Sequence, residues 1–237
     1  IQPQTISNSE LGSIALLSKP ELRRSIEYFI QGLYDIANQE WNRAVRGLTP
    51  DERIHAAYLA AQYQWHFQAI NTLAGAGAWQ HYNTRFPNIL SDEFVAQALR
   101  FGHSPHWFYA VARQESALSP LAKSGAGALG LMQLLPSTAK QQAKSLGLEF
   151  EKTQLFDQQY NIQLGTAYLD HLHDKYRSIG LSSAAYNAGP RRVDQWLNGL
   201  SVPIPMDAWI ESIRFSETRQ YVQNVLSFAV IHATLYP

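Results

Sequence analysis

Glu115 stands where a carboxylate is least comfortable as an anion. It closes an apolar run containing Trp107, Phe108, Tyr109, Val111 and Ala112. If that run is helical, the acid faces the negative end of the helix dipole. Apolar neighbours push the same way, toward the protonated form that a general acid needs. Around it lies a polar, glycine-rich stretch: Arg113-Gln114-Glu115-Ser116, then Ser124-Gly125-Ala126, then Gly130-Leu131-Met132-Gln133-Leu134-Leu135-Pro136. Two further strings carry chemistry-bearing side chains in unusual settings. Tyr186 and Asn187 sit just before a Gly189-Pro190 stop, and Ser216-Glu217-Thr218-Arg219-Gln220-Tyr221 opens an otherwise apolar segment.

Other chemistries fit less well. Gly125-Ala126-Gly127-Ala128-Leu129-Gly130 satisfies G-x-G-x-x-G, but a dinucleotide site needs a buried strand before the first glycine. Here Glu115-Ser116-Ala117-Leu118-Ser119-Pro120 precedes it, so a turn allowing close backbone approach is the better reading. His171 and His173, two apart on a helix, point to different faces. His103 and His106 straddle a helix start with no third ligand near, and no metal site is expected. The chain has no cysteine, which excludes thiol nucleophiles and disulfides. Its 19 basic and 19 acidic side chains cancel, arguing against bulk attraction to nucleic acid or anionic membrane. Arg191-Arg192 reads as a solvated helix start or an anion contact. The six tryptophans belong mainly to the core, some being available to stack on sugar rings.

The elements that must position these residues are helices. Ser18-Lys19-Pro20-Glu21 reads as a capping box, with Leu22, Ile26, Phe29, Ile30, Leu33, Ile36 and Ala37 following at helical spacing. Thr49-Pro50-Asp51-Glu52 is a stronger box, and breaks follow at Gly75-Ala76-Gly77 and Arg85-Phe86-Pro87-Asn88. Ser91 is expected to cap a helix through Phe101, and Ser104-Pro105 to open one reaching Glu115. Further helices are expected after Pro136, over 158–177, and from Ser216 onward. No period-two alternation appears. The fold class expected is all-α, divided into residues 1–84 and residues 85–237. Ile1-Gln2-Pro3-Gln4 shows neither an initiator Met nor a signal-peptide pattern, as in a processed chain or fragment.

Taken in order, Glu115-Ser116, then Ser124 through Gly130-Leu131-Met132-Gln133, then Ala185-Tyr186-Asn187-Ala188-Gly189, then Glu217-Thr218-Arg219-Gln220-Tyr221-Val222 resemble the soluble lytic murein transglycosylases. The resemblance covers residues 85–237 and implies a goose-lysozyme-like catalytic domain. Residues 64–87 resemble the linker domain before it in the large soluble members, which implies a C-terminal fragment with a helical linker or superhelix end over 1–84. The resemblance assigns Glu115 as the single catalytic acid and base. It places Ser124 and Gln133 near the muramoyl N-acetyl group, Tyr186 near the catalytic acid with Asn187 completing that wall, and Glu217 and Tyr221 in the groove. Met132 belongs to the same substrate-binding motif, where its side chain is expected to pack rather than react. Leu135 departs from the Met common before the proline, a volume-conserving change. The implied reaction breaks the bond between N-acetylmuramic acid and N-acetylglucosamine without water, leaving a 1,6-anhydro end. The alternatives are a hydrolytic muramidase on the same fold and a non-catalytic glycan-binding module. The partner implied is the peptidoglycan glycan strand, met in the periplasm by a monomer with no cofactor, metal, nucleic acid or membrane anchor.

Overall fold

The computed structural model describes residues 13, 15–202 and 204–237; the chain start Ile1-Gln2-Pro3-Gln4 lies outside them. The described residues are helical, and pairing of the β type is confined to two isolated bridges, Lys123 with Leu129 and Leu129 with Leu134. The chain forms two compact units, Ile1–Asn88 and Ile89–Pro237.

The first unit contains α1 (Pro20–Ile30), α2 (Tyr34–Arg46), α3 (Pro50–Gln62), α4 (His66–Gly75) and the single turn α5 (Tyr82–Arg85). Its core gathers Leu22, Ile26, Trp41, Leu59 and Trp65, with Ala37, Ala56, Ala60 and Ala69 allowing helices to approach. The Trp41 indole N–H is satisfied by Thr72 Oγ1 at 2.9 Å, as a buried donor must be. The expected box at Thr49 is formed: Glu52 N donates to Thr49 Oγ1, and Thr49 N donates to the Glu52 carboxylate at 2.9 Å.

Three expectations are corrected here. The helix starting at Pro20 has Lys19 as its cap, because Ser18 Oγ is turned back to donate to Ala15 O at 2.7 Å. The apolar spacing from Leu22 to Ala37 does not make one helix. Gly32, at φ +75°, stops it, with Leu33 N reaching Tyr28 O at 2.9 Å in a Schellman closure. The pattern stays in phase across the break, yet Ile30, Leu33 and Ile36 are 65%, 45% and 47% exposed. Ser91 is the first residue of its helix, and the cap position is held by Leu90 in a left-handed conformation.

The second unit contains α6 (Ser91–Phe101), α7 (Pro105–Ser116), α8 (Pro136–Ser145), a 3₁₀ turn (Lys152–Phe156), α9 (Gln158–Tyr176), α10 (Ile179–Ala188), α11 (Pro190–Asn198), α12 (Met206–Ser212) and α13 (Ser216–Leu235). Helix α7 is the central element: Trp107 through Arg113 are all buried. A helix buried all round needs partners on every face. Helices α6 and α13 both pack on it. Helices α7 and α13 run antiparallel, since Glu115 meets Tyr221 at one end and His106 meets His232 at the other. Between them Asn224 donates to Gln114 at 3.1 Å, and the Arg113 guanidinium lies 5.2 Å from the Phe228 ring.

Candidate active site

The backbone leaves α7 under constraint. Immediately after Glu115 and Ser116, Ala117 and Leu118 take φ of +50° and +65°. Gln133, at the far end of the loop, takes +49°. Each such conformation costs a side-chain-bearing residue about 1–2 kcal/mol, so the loop 117–135 persists only because its surroundings hold it.

Four side chains do the holding. Ser116 Oγ donates to Leu131 O at 2.7 Å. Asn161, wholly buried on α9, accepts from Met132 N at 2.7 Å and donates to Leu129 O and Leu155 O at 3.1 and 2.9 Å. The Tyr186 hydroxyl donates to Met132 O at 2.7 Å. Gln133 Nε2 donates to Ala122 O and Gly130 O at 3.1 and 2.8 Å. Two glycines make the fit possible. A Cβ on Gly130, at φ +79°, would collide with Leu155 O and the Asn161 side chain, and one on Gly165 would collide with Met132.

Against this loop stands Glu115. Its Oε1 accepts a 2.7 Å hydrogen bond from the Tyr221 hydroxyl. The residue keeps part of its surface in contact with solvent, yet protein crowds its carboxyl, and desolvation pushes it up to about 7. The Tyr221 bond opposes that shift by favouring the anion, while the charge of Glu217 adds to it. The Tyr186 and Tyr221 phenols are pushed above their usual range, by burial first and by the neighbouring Glu115 charge next. Both therefore remain neutral donors. The result is an acid that is protonated near neutrality and can lose its proton at little cost, flanked by two neutral phenols.

The other expected residues lie as follows. Met132 is wholly buried and packs against Gly165, so its thioether supports the wall from behind. Asn187 Oδ1 accepts from Thr218 Oγ1 at 2.8 Å, tying the end of α10 to the start of α13. Glu217 is exposed on the first turn of α13. Ser124 is exposed at the loop tip, where its Oγ accepts from Ala128 N at 3.0 Å. It is tied to its own turn, and its described hydrogen bonds do not reach Glu115. Asn161 and Gly165 were missed. The signal for Asn161 was an amide three residues before Leu164, on the same buried face of the helix. Among the described residues no three His, Cys, Asp or Glu side chains gather as metal ligands would.

Comparison with known proteins agrees along most of the chain. Residues 92–200 match the Transglycosylase SLT domain, residues 15–81 the Soluble lytic murein transglycosylase L domain, and residues 212–236 the Soluble lytic transglycosylase helical domain. The putative soluble lytic murein transglycosylase of Haemophilus influenzae is 40% identical over 199 residues, which is 83% of this chain and 34% of the relative. The soluble lytic murein transglycosylase of Escherichia coli K12 is 37% identical over 217 residues, 90% of this chain and 34% of that one. Among solved structures, an inactive mutant of the lytic transglycosylase Slt from Pseudomonas aeruginosa superposes with a TM-score of 0.91 at 40% identity, covering 99% of this chain and 38% of its own. The 70-kDa soluble lytic transglycosylase of E. coli gives 0.86 at 36% identity, covering 93% and 36%. The chain thus spans about a third of the length of the curated relatives it matches. By sequence and by fold, it belongs to the soluble lytic murein transglycosylases.

Proposed function

We propose that this chain cleaves the glycosidic bond between N-acetylmuramic acid and N-acetylglucosamine in peptidoglycan, with Glu115 as acid and then base. The observation that carries the proposal is the Glu115–Tyr221 pair: a carboxyl pushed up to about 7 and bonded to a hydroxyl that steadies its anion. Protonated Glu115 gives its proton to the glycosidic oxygen as the C1–O bond breaks, and the N-acetylglucosamine leaves with a new hydroxyl. The muramoyl acetamido oxygen stabilises the electron-poor C1. The Glu115 carboxylate then takes the proton of the 6-hydroxyl as O6 bonds to C1, which closes the 1,6-anhydro ring and returns the acid to its first state. No water is consumed, and a second enzyme carboxylate, which most glycosidases need, has no task.

Gln133, Tyr186 and Asn187 form the proposed sugar-binding wall beside Glu115, with Ser124 at its tip and Glu217 at its edge. Gln133 spends its two N–H groups on Ala122 O and Gly130 O, so its amide oxygen is what remains for a substrate donor. In this reading the chain acts as a monomer on peptidoglycan in the periplasm. Residues 1–84 serve in this reading as the helical linker ahead of the catalytic domain. No helix among the described residues is long and apolar enough to cross a membrane. The test is release of soluble fragments from purified peptidoglycan. The chain should release them and Glu115→Gln should not, whereas undiminished release by that variant would refute the assignment.

A further inference from the structure

The first unit holds a pocket of its own, of about 140 Å³, where the ends of α2 and α4 meet the start of α3. That is room for one six-membered ring. Two arginines line it and no acid does. Arg53 is fixed: its Nε donates to Val45 O at 3.0 Å and its Nη2 to Arg46 O at 3.2 Å, which caps α2 and leaves Nη1 to give. Arg46 is exposed, and among the described residues neither arginine enters an ion pair. The acids near in sequence are spent or outside the pocket. Glu52 is held by Lys19 at 3.0 Å and by Thr49 N at 2.9 Å, Glu40 is held by Arg24 at 2.9 Å, and Asp51 is exposed on the first turn of α3. Two helices end here, each C-terminus equivalent to about half a negative charge. The two guanidinium groups outweigh them and leave about one positive charge.

The rest of the polar lining both donates and accepts. Gln68 is buried, and its Nε2 donates to Asn38 Oδ1 at 2.7 Å, which fixes the amide and leaves its Oε1 to accept. Thr72, also buried, accepts from Trp41 Nε1 at 2.9 Å and keeps its hydroxyl proton to give. Asn42 and Asn71 are exposed, and their amides have no partner among the described residues. An amide offers two donors and an acceptor, which suits a hydroxyl in either role. No aromatic ring lines the pocket, so a flat apolar ligand has no face to stack on. Gly75 keeps the space open. The stop after α4 is made by Gly77 at φ +67°, with Ala78 N reaching Leu73 O at 3.0 Å, so the turn does not require Gly75. Packing does not require it either, since a Cβ there would meet nothing within 4 Å. Glycine weakens a helix, and what it leaves here is open space at the edge of the pocket.

We infer that this pocket of the first unit binds an acidic sugar, with its carboxylate on Arg46 and Arg53 and its hydroxyl-bearing ring against the amides and Thr72. A guanidinium presents its donors in a planar fork that matches a carboxylate. A charge near one favours a monocarboxylate over a phosphate dianion. Neither Glu115 nor the loop beside it takes part, so the site stands or falls apart from the catalytic assignment.

The test is an NMR titration of the isotope-labelled chain, read at its backbone amides. The probes are N-acetylmuramic acid, N-acetylglucosamine, which has the same ring without the carboxylate, and inorganic phosphate. The acid should shift the amides of Asn42, Asn71 and Gly75, and should bind about tenfold more tightly than either other probe, the scale of one charged hydrogen-bonded contact. Arg46→Gln, a change at an exposed position, should bring the acid down to the affinity of the neutral sugar. Asn71→Leu, also exposed, should weaken both sugars alike, and Gly75→Leu should fill the space and remove the binding of both. Shifts confined to the amides around Glu115 and Gln133, equal binding of the acid and the neutral sugar, or phosphate binding as tightly as the acid would each overturn the site. So would acid binding that Arg46→Gln and Gly75→Leu leave unchanged. Cleavage is read in none of these arms, so their failure leaves the assignment of Glu115 standing.

Discussion

The two ends of the α7–α13 helix pair apply one physical effect to opposite chemistries. At one end desolvation pushes the Glu115 carboxyl up to about 7. At the other, burial, with the neighbouring His106 adding to it, pushes His232 down to about 4. Each shift favours the neutral form, because a low-dielectric setting penalises charge of either sign. Between about pH 4 and about pH 7 both ends are uncharged, and the helices are clamped by neutral hydrogen bonds. The difference lies in what surrounds each group. Glu115 touches solvent and has in Tyr221 a donor that steadies its anion. His232 stacks on Tyr109 at 3.7 Å and bonds His106 at 2.9 Å, while its Nε2 is buried without a hydrogen-bond partner. A displaced pKa does not by itself mark a reacting group. What marks one is access together with a partner for the second protonation state.

Removing the proposed acid should have the largest effect. Glu115→Gln should lower turnover of peptidoglycan by about 10²–10⁴-fold, the usual contribution of a positioned proton donor. Next, Tyr221→Phe deletes a bond that favours the carboxylate, so the basic limb of the pH–rate profile should move to higher pH while turnover falls about tenfold. Initial rates across pH 5–9 would show both, and a limb that stays in place would mean that the hydroxyl does not act on the acid.

The remaining effects concern stability and have opposite signs at the two ends. Glu115 has a folded pKa above its unfolded value, so its contribution is fully present below about 4.5 and is lost as pH rises through about 7. Glu115→Gln should therefore gain on the unmodified chain by about 1–3 kcal/mol between pH 5 and pH 8, read from denaturant midpoints. His232 has a folded pKa below its unfolded one. Its contribution is present above about 6.5 and is lost as pH falls through about 4. His232→Phe should flatten that acid slope by about 1–2 kcal/mol without moving the basic limb of the rate profile. A limb that moved would show the two ends to be coupled, contrary to their separation along the helix pair.

The parts of this architecture that local physics decides were legible in the sequence. The box at Thr49 and Pro50 follows from capping chemistry. The helix running to Glu115 and the helix opening at Ser216 follow from their apolar patterns, since their cap positions, Ser104 and Phe215, make no side-chain cap bond. The stop at Gly32 was not legible, because Leu33 and Ile36 continue the helical phase through it and only the closure of the chain on Tyr28 O reveals the break. The helices over 179–188 and 206–212 went unread as well: the first is buried along nearly its whole length, and the second has only seven residues. Of the helix over 190–198, only the solvated start at Arg191-Arg192 was read. At the site, the resemblance supplied Glu115 and Tyr221, but the clamp on the loop was invisible. Asn161 serves one neighbour from the 3₁₀ turn and two from a loop about thirty residues away, and no periodicity encodes that meeting. Gly165 has meaning only once Met132 is seen to occupy its missing side chain.

The central claim is that a single acid, unaided by a second carboxylate, returns its proton through the substrate's own hydroxyl. Mass analysis of the fragments released from purified peptidoglycan tests it most directly. The expected fragments end in 1,6-anhydromuramic acid and disappear with Glu115→Gln. Fragments ending in a reducing sugar, each heavier by one water, would contradict it and make the chain a hydrolase.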